Sequence, residues 1–175
     1  RALGIRGAGI TMPYKVKVID YVDELSSEVV SIGSANTVVN NSGVLKAYNT
    51  DYFSACETLS RYVDHDTIFI LGNGGFSKAV EFSARQIFKN VNIITRKNWE
   101  EISSIRESLV FNCTPVENIS VENSNDFIDC IINTKSGREI SLLQASKQFE
   151  LYTGENFPMD YIRENFNLII EKNRV

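Results

Sequence analysis

Two short segments carry a lysine and an aspartate that could do chemistry together. Lys15 closes the run Gly9-Ile10-Thr11-Met12-Pro13-Tyr14-Lys15, and Asp51 closes Tyr48-Asn49-Thr50-Asp51. Exchange of a hydride between a carbonyl and an alcohol needs a proton donor and acceptor beside the reacting oxygen, and an ammonium held by a carboxylate supplies one. Further along, Gly72-Asn73-Gly74-Gly75-Phe76-Ser77 forms a glycine-rich turn after an apolar run. Glycines at such a turn let the backbone approach a pyrophosphate, and a helix starting there offers unsatisfied N–H groups to an anion. The GxGxxG spacing is not kept, since Ser77 stands in the third glycine's place. Thr95-Arg96-Lys97 ends the next apolar run, where dinucleotide folds meet the adenosine ribose. An arginine there, with no acid, favours a 2′-phosphate and hence NADP over NAD. Each feature taken singly has a plainer reading: a solvated loop lysine, an aspartate capping a helix, a tight turn. Their order, lysine then aspartate then nucleotide loop, suggests an oxidoreductase.

The elements that must position these residues follow from periodicity. Residues 8–12 are short, apolar and strand-like, and Pro13 ends them because proline cannot donate to a ladder. The mixed apolar and acidic spacing of 14–30 predicts a helix. Residues 34–48 predict two strands around an Asn-Ser-Gly turn, and 51–63 a helix. The continuous apolar run 67–71 reads as a strand buried on both faces. A helix over 76–88 and a strand over 91–95 complete a βαβ unit with parallel strands. Further strands are expected over 109–114 and 127–133, and helices over 139–152 and 159–172. The chain opens on what reads as a helix end over 1–7, and its first residue, Arg1, predicts that further residues precede it.

The 175 residues suit one domain or one and a half, with 22 acidic against 18 basic side chains and a formal net charge of −4. No basic run marks a nucleic-acid or membrane-surface partner. Neither a membrane span nor a secretory signal is found, so a cytoplasmic protein is expected. Cys56, Cys113 and Cys130 are odd in number and contain no CxxC pair, which indicates buried thiols and neither a disulfide framework nor a zinc site. The single histidine, His65, lies in a polar stretch and reads as a solvated loop residue.

Together these residues resemble the shikimate dehydrogenase family, and more closely its shikimate dehydrogenase-like branch. The resemblance runs through the lysine, aspartate, glycine and arginine segments above, and through Ser34-Ala35-Asn36-Thr37, Asn112-Cys113-Thr114-Pro115 and Gln144-Ala145-Ser146-Lys147-Gln148-Phe149. It implies an α/β fold, a Rossmann-type doubly wound nucleotide-binding domain with a partial α/β substrate domain. The implied divisions are a partial substrate domain over 1–52, an NADP-binding domain over 53–137 and C-terminal helices over 138–175 that return to the substrate side. It also implies that Lys15 and Asp51 are the catalytic pair and that Thr11, Asn36 and Gln144 hydrogen-bond the substrate's hydroxyls. Gly72, Gly74, Gly75 and Ser77 would hold the pyrophosphate, Arg96 the 2′-phosphate, and Thr114 and Gly137 would border the nicotinamide end. The implied reaction is reversible NADPH-dependent reduction of 3-dehydroshikimate to shikimate, or action on quinate, in aromatic amino acid biosynthesis. No metal is implied, and the sequence does not fix the oligomeric state, a homodimer being one candidate.

The chain departs from the family in three places. The N-terminal serine motif that binds the ring carboxylate is expected before Arg1. The passage before the glutamine helix is shortened to Thr134-Lys135-Ser136-Gly137, and Lys97 stands next to Arg96 in place of a basic residue a few positions later. These departures leave a second reading open, a non-catalytic NADP-binding or regulatory remnant of the same fold.

Overall fold

Eight strands in two four-stranded sheets, with five α-helices, make up the computed structural model, which describes residues 4–172 and the side chains of 4–165. The first sheet is nucleated by a hairpin, β3 (Thr37–Asn41) and β4 (Val44–Tyr48), paired antiparallel from Asn41↔Val44 to Thr37↔Tyr48. Its two-residue turn has positive φ at both Ser42 (52°) and Gly43 (97°), the geometry that matches the twist of the flanking strands. The Asn40 side chain accepts the Gly43 N–H at 2.8 Å, so the predicted Asn-Ser-Gly turn forms where the sequence places it. β1 (Gly7–Gly9) adds antiparallel to β3, and β2 (Glu24–Leu25) adds parallel to β4, giving the order β1-β3-β4-β2. Of the helix end expected over 1–7, residues 1–3 lie outside the described residues, and Gly7 already belongs to β1.

The helix expected over 14–30 is broken into three pieces: a 3₁₀ turn at Lys17–Tyr21, β2, and a short helix α1 (Ser27–Ile32). Asp23 is the cause. Its backbone N–H donates to the Leu45 carbonyl at 2.8 Å and its carboxylate accepts the Leu45 N–H at 2.7 Å, which pulls the chain onto β4. The apolar residues that suggested a helix still share one face, since Val18, Ile19, Val22 and Leu25 pack against buried Val29, Ala35 and Ala47. Gly33, at φ 71°, ends α1 with its N–H on the Val29 carbonyl.

The second sheet is wholly parallel, built from β5 (Thr67–Leu71), β6 (Asn90–Ile94), β7 (Leu109–Asn112) and β8 (Asp126–Asp129) in the order β6-β5-β7-β8. The order reverses at β5, so a crevice is expected beyond the carboxyl ends of β5 and β7. Alternate residues enter two cores. Ile68, Ile70, Leu109, Phe111 and Ile128 face α2 (Thr50–Leu59), α3 (Gly75–Ala84) and α4 (Lys135–Thr153). Leu71, Ile94 and Val110 face a 3₁₀ turn, Trp99–Ser104, and the loop carrying Ile119 and Val121. The strands expected over 109–114 and 127–133 stop early for one local reason. The Asn112 side-chain oxygen accepts the Thr114 N–H at 2.9 Å, and Asp129 Oδ1 accepts the Ile131 N–H at 3.0 Å, so each side chain turns its own backbone out of the ladder.

α4 begins at Lys135, earlier than expected, because Thr134 caps it by accepting the Gly137 N–H at 2.9 Å. The last helix, α5 (Met159–Lys172), is tied to it where Arg163 meets Glu139 at 2.5 Å. Burial raises the Glu139 carboxyl, but hydrogen bonds from Arg163 and Arg61 outweigh it and hold that group below its ordinary value. His65, expected to be solvated, instead places Nε2 2.7 Å from Asp126 Oδ2 and ties the loop before β5 to the start of β8.

Toward its far end α4 lies on the first sheet, and the Tyr152 ring occupies the space that a side chain at Gly7 would need. The Tyr152 hydroxyl is buried near Thr37, but without the geometry of a hydrogen bond. An unmade buried hydrogen bond costs about 1–3 kcal/mol. Tyr152→Phe is therefore expected to raise stability by about 1 kcal/mol, seen as a higher urea midpoint at unchanged slope; a lower midpoint would show that the hydroxyl has a partner in solution.

Candidate active site

Lys15 follows a cis Met12–Pro13 bond, and its carbonyl accepts the Ala35 N–H at 2.7 Å, which fixes the loop against the entry to β3. Asp51 sits in the first turn of α2, where Asn49 is the cap and accepts the Tyr52 N–H at 3.0 Å. Asp51 is therefore free of the capping duty that was its plainer reading. The two side chains meet, with Lys15 Nζ 2.5 Å from Asp51 Oδ2, and the carboxylate is almost wholly buried while the lysine is 18% exposed. The other carboxylate oxygen accepts from Asn36 Nδ2 at 2.9 Å. Two charge-assisted bonds thus hold an anion in a place with little water, and a single lysine edge faces outward.

That edge opens into a cleft of about 520 Å³ between the two sheets. Of the residues singled out in the sequence, Thr11, Lys15, Asp51, Gly74, Gly75, Thr114 and Gln144 line it. The glycine turn reaches the lysine directly, since a Cβ on Gly75 would lie 3.2 Å from Lys15 Cδ. Gly72 has φ 113°, a region that favours glycine, and a Cβ there would stand 3.0 Å from the Thr114 methyl group. Its N–H donates to the Ile94 carbonyl at 2.8 Å, which sets the turn beside the end of β6. Arg96 follows two residues later, exposed, and no ion pair engages it among the described residues. Glycines at a strand end and a helix start suit a pyrophosphate, and a guanidinium at the next strand suits a 2′-phosphate.

Five expected site residues do not line the cleft, Gly72 of the glycine turn being the first of them. Asn36 is only 2% exposed and stands behind Asp51, with its amide engaged by Thr50, Asp51 and Gln144. Ser77 is buried and its hydroxyl donates to the Gly74 carbonyl at 2.9 Å, so only its backbone faces the turn. Gly137 does not line the cleft; a Cβ there would overlap the Ile131 carbonyl, and its role is close packing of α4 on the 130–131 backbone. Arg96 lies outside the cleft lining, at the carboxyl edge of the sheet.

Other residues of the site were given no part in it by the sequence. Phe76, Ile140 and Ser141 line the cleft, and so do Cys113 and Cys130. All three cysteines are half-buried, not wholly enclosed as expected. Burial pushes the Cys113 thiol well up and the Cys130 thiol up to about 11, which keeps both protonated near neutral pH. Gln148 was also passed over, although it lies one helical turn after Gln144 and so shares its face. Among the described residues, no group of three or more histidine, cysteine, aspartate or glutamate side chains could hold a metal ion.

Comparison with known proteins gives this geometry a family. Residues 1–38 match the model described as the shikimate dehydrogenase substrate binding domain. A shikimate dehydrogenase (NADP(+)) of Chlorobium phaeobacteroides is 30% identical over 229 aligned positions, covering 93% of this chain and 78% of the relative. The chain belongs to the shikimate dehydrogenase family. A second member, the shikimate dehydrogenase (NADP(+)) of Caldanaerobacter subterraneus, is 36% identical over 170 residues, and this chain spans 60% of its length. The solved structure of shikimate dehydrogenase 1 from Peptoclostridium difficile superposes with a TM-score of 0.74 at 26% identity, covering 95% of this chain and 79% of that one. The 229 positions aligned with the Chlorobium shikimate dehydrogenase exceed the 175 residues available here, so that relative carries internal stretches that this chain lacks.

Proposed function

We propose that this member of the family is an NADP-dependent oxidoreductase that interconverts 3-dehydroshikimate and shikimate, or acts on quinate, in the cytoplasm and as a homodimer. One observation carries the reading: the Lys15–Asp51 pair stands in the cleft that the glycine turn also lines. NADP(H), when bound, supplies or takes the hydride. Gly72, Gly74 and Gly75 would hold its pyrophosphate with the first N–H groups of α3, and Arg96 its 2′-phosphate. The Lys15 ammonium donates a proton to the carbonyl oxygen as it gains charge, and takes it back from the alcohol in the reverse direction. Asp51 keeps the ammonium aimed and balances its charge. Thr11 and Gln144, both lining the cleft, would bond the ring hydroxyls, while Asn36 supports Asp51 from behind.

The test is NADPH absorbance followed with 3-dehydroshikimate and, separately, oxidation of quinate. Binding of NADPH without reduction of dehydroshikimate would favour the remnant reading. Arg96→Ala is expected to weaken NADPH binding by roughly 10–100-fold, the worth of a charge-assisted contact, and to leave NADH binding unchanged. Nucleotide fluorescence reads both, and equal loss for the two nucleotides would remove Arg96 from the 2′-phosphate site.

A further inference from the structure

The side chains behind the Lys15–Asp51 pair form one directed chain of hydrogen bonds that reaches into α4. Asn36 Oδ1 accepts the Thr50 backbone N–H at 2.8 Å, an obligate donor, so the oxygen must face that way and Nδ2 must face Asp51. The same Oδ1 accepts the Thr37 hydroxyl at 2.9 Å. Thr37 Oγ1 in turn receives Gln148 Nε2 at 3.0 Å, and that amide also reaches the Asn36 carbonyl at 3.4 Å. Thr37 is 0% exposed and Asn36 2%, so no solvent stands ready to replace a lost partner.

We propose that Gln148 is a positioning residue for the Lys15–Asp51 pair, acting through Thr37 and Asn36. Its N–H fills a lone pair of the Thr37 hydroxyl, which directs the Thr37 proton to Asn36 Oδ1. With both donors on that oxygen, the Asn36 amide N–H is held on Asp51, and Asp51 holds Lys15. Without Gln148 the Thr37 hydroxyl is less firmly directed, and Asn36 Oδ1 depends more on the Thr50 N–H alone. The Asn36 amide then keeps its orientation but is held less tightly against the carboxylate, and the ammonium is aimed less sharply. The arrangement also explains the spacing of Gln144 and Gln148 on one face of α4, the first meeting Asn36 Nδ2 at 3.3 Å and the second securing Thr37. The helix that leaves the nucleotide sheet thereby sets the geometry of a pair carried by the other sheet.

The proposal rests on reading that pair as the proton-handling group, and the experiment has a readout that does not need turnover. Lys15 is labelled with trinitrobenzenesulfonate and quantified by peptide mass in wild type, Gln148→Leu, Thr37→Val and Thr37→Ser, each first checked for a cooperative melt. Gln148→Leu and Thr37→Val are expected to speed Lys15 labelling severalfold and to lower kcat roughly tenfold, with KM within about threefold, as a small misplacement of a catalytic group does. Thr37→Ser keeps the hydroxyl and is expected to behave as wild type in both measurements. Labelling of Lys15 at the wild-type rate in folded Gln148→Leu overturns the proposal, and so does Thr37→Ser matching Thr37→Val. Absence of turnover in the wild type would defeat the functional reading alone, because the labelling rates still decide the role of Gln148.

Discussion

Lys15→Ala is expected to lower turnover of 3-dehydroshikimate by ~10²–10⁴-fold, the usual share of general acid–base help. Among the described residues the lysine is the one cation that lines the cleft, so none of them on that wall replaces it. NADPH binding should be retained, because the glycine turn and Arg96 are untouched. The substitution has a second consequence. Among the described residues it leaves the buried Asp51 carboxylate with the Asn36 amide alone for a partner, and stranding a buried charge costs about 3–5 kcal/mol. A thermal melt must therefore accompany the kinetics, and Asp51→Asn provides the companion, since it removes the charge and keeps the shape. The two variants should lose comparable activity while Asp51→Asn melts closer to wild type. Turnover of Lys15→Ala within about tenfold of wild type, measured on folded protein at saturating NADPH, would remove the lysine from the chemistry.

Phe111→Ala is expected to cost about 3–5 kcal/mol of stability, near the upper end for a single core truncation. The ring is fully buried in the core between the parallel sheet and the helices α2, α3 and α4. It also meets Phe76 edge-on, with centroids 6.0 Å apart and planes at 71°. Phe76 opens α3 and lines the cleft, so the cavity left by Phe111 lies directly beneath the glycine turn. Urea unfolding reads the loss, and NADPH affinity measured below the transition should fall with it as the turn loses support. A change of less than about 1 kcal/mol would mean that the two sheets unfold separately and that this core is not what the global transition reports.

Much of the fold was legible in local pattern. The run 67–71 became β5 residue for residue, because an uninterrupted apolar segment ended by glycine has few other solutions in a parallel sheet. The hairpin followed from Ser42 and Gly43, whose tolerance of positive φ is a property of the residues themselves. The helix expected over 14–30 failed because its spacing was satisfied by a different backbone. The same apolar residues reach the same core once Asp23 pairs with Leu45, a partner 22 positions away that no periodicity reveals.

The candidate site divides in the same way. The sequence by itself determined the types of residue offered to the candidate site, an amine, a carboxylate, amides and a glycine turn, and the order in which they occur. Only the tertiary structure decided which of them meet. Lys15 and Asp51 are 36 positions apart and Asn36 and Gln144 are 108 apart, and they touch because α2 and α4 pack across the two sheets. It also assigned Asn36 to the layer behind the carboxylate, Gly137 to helix packing and Gln148 to Thr37, roles set by burial and hydrogen-bond direction. Those quantities depend on what surrounds a residue in space, whereas a motif records only its neighbours along the chain.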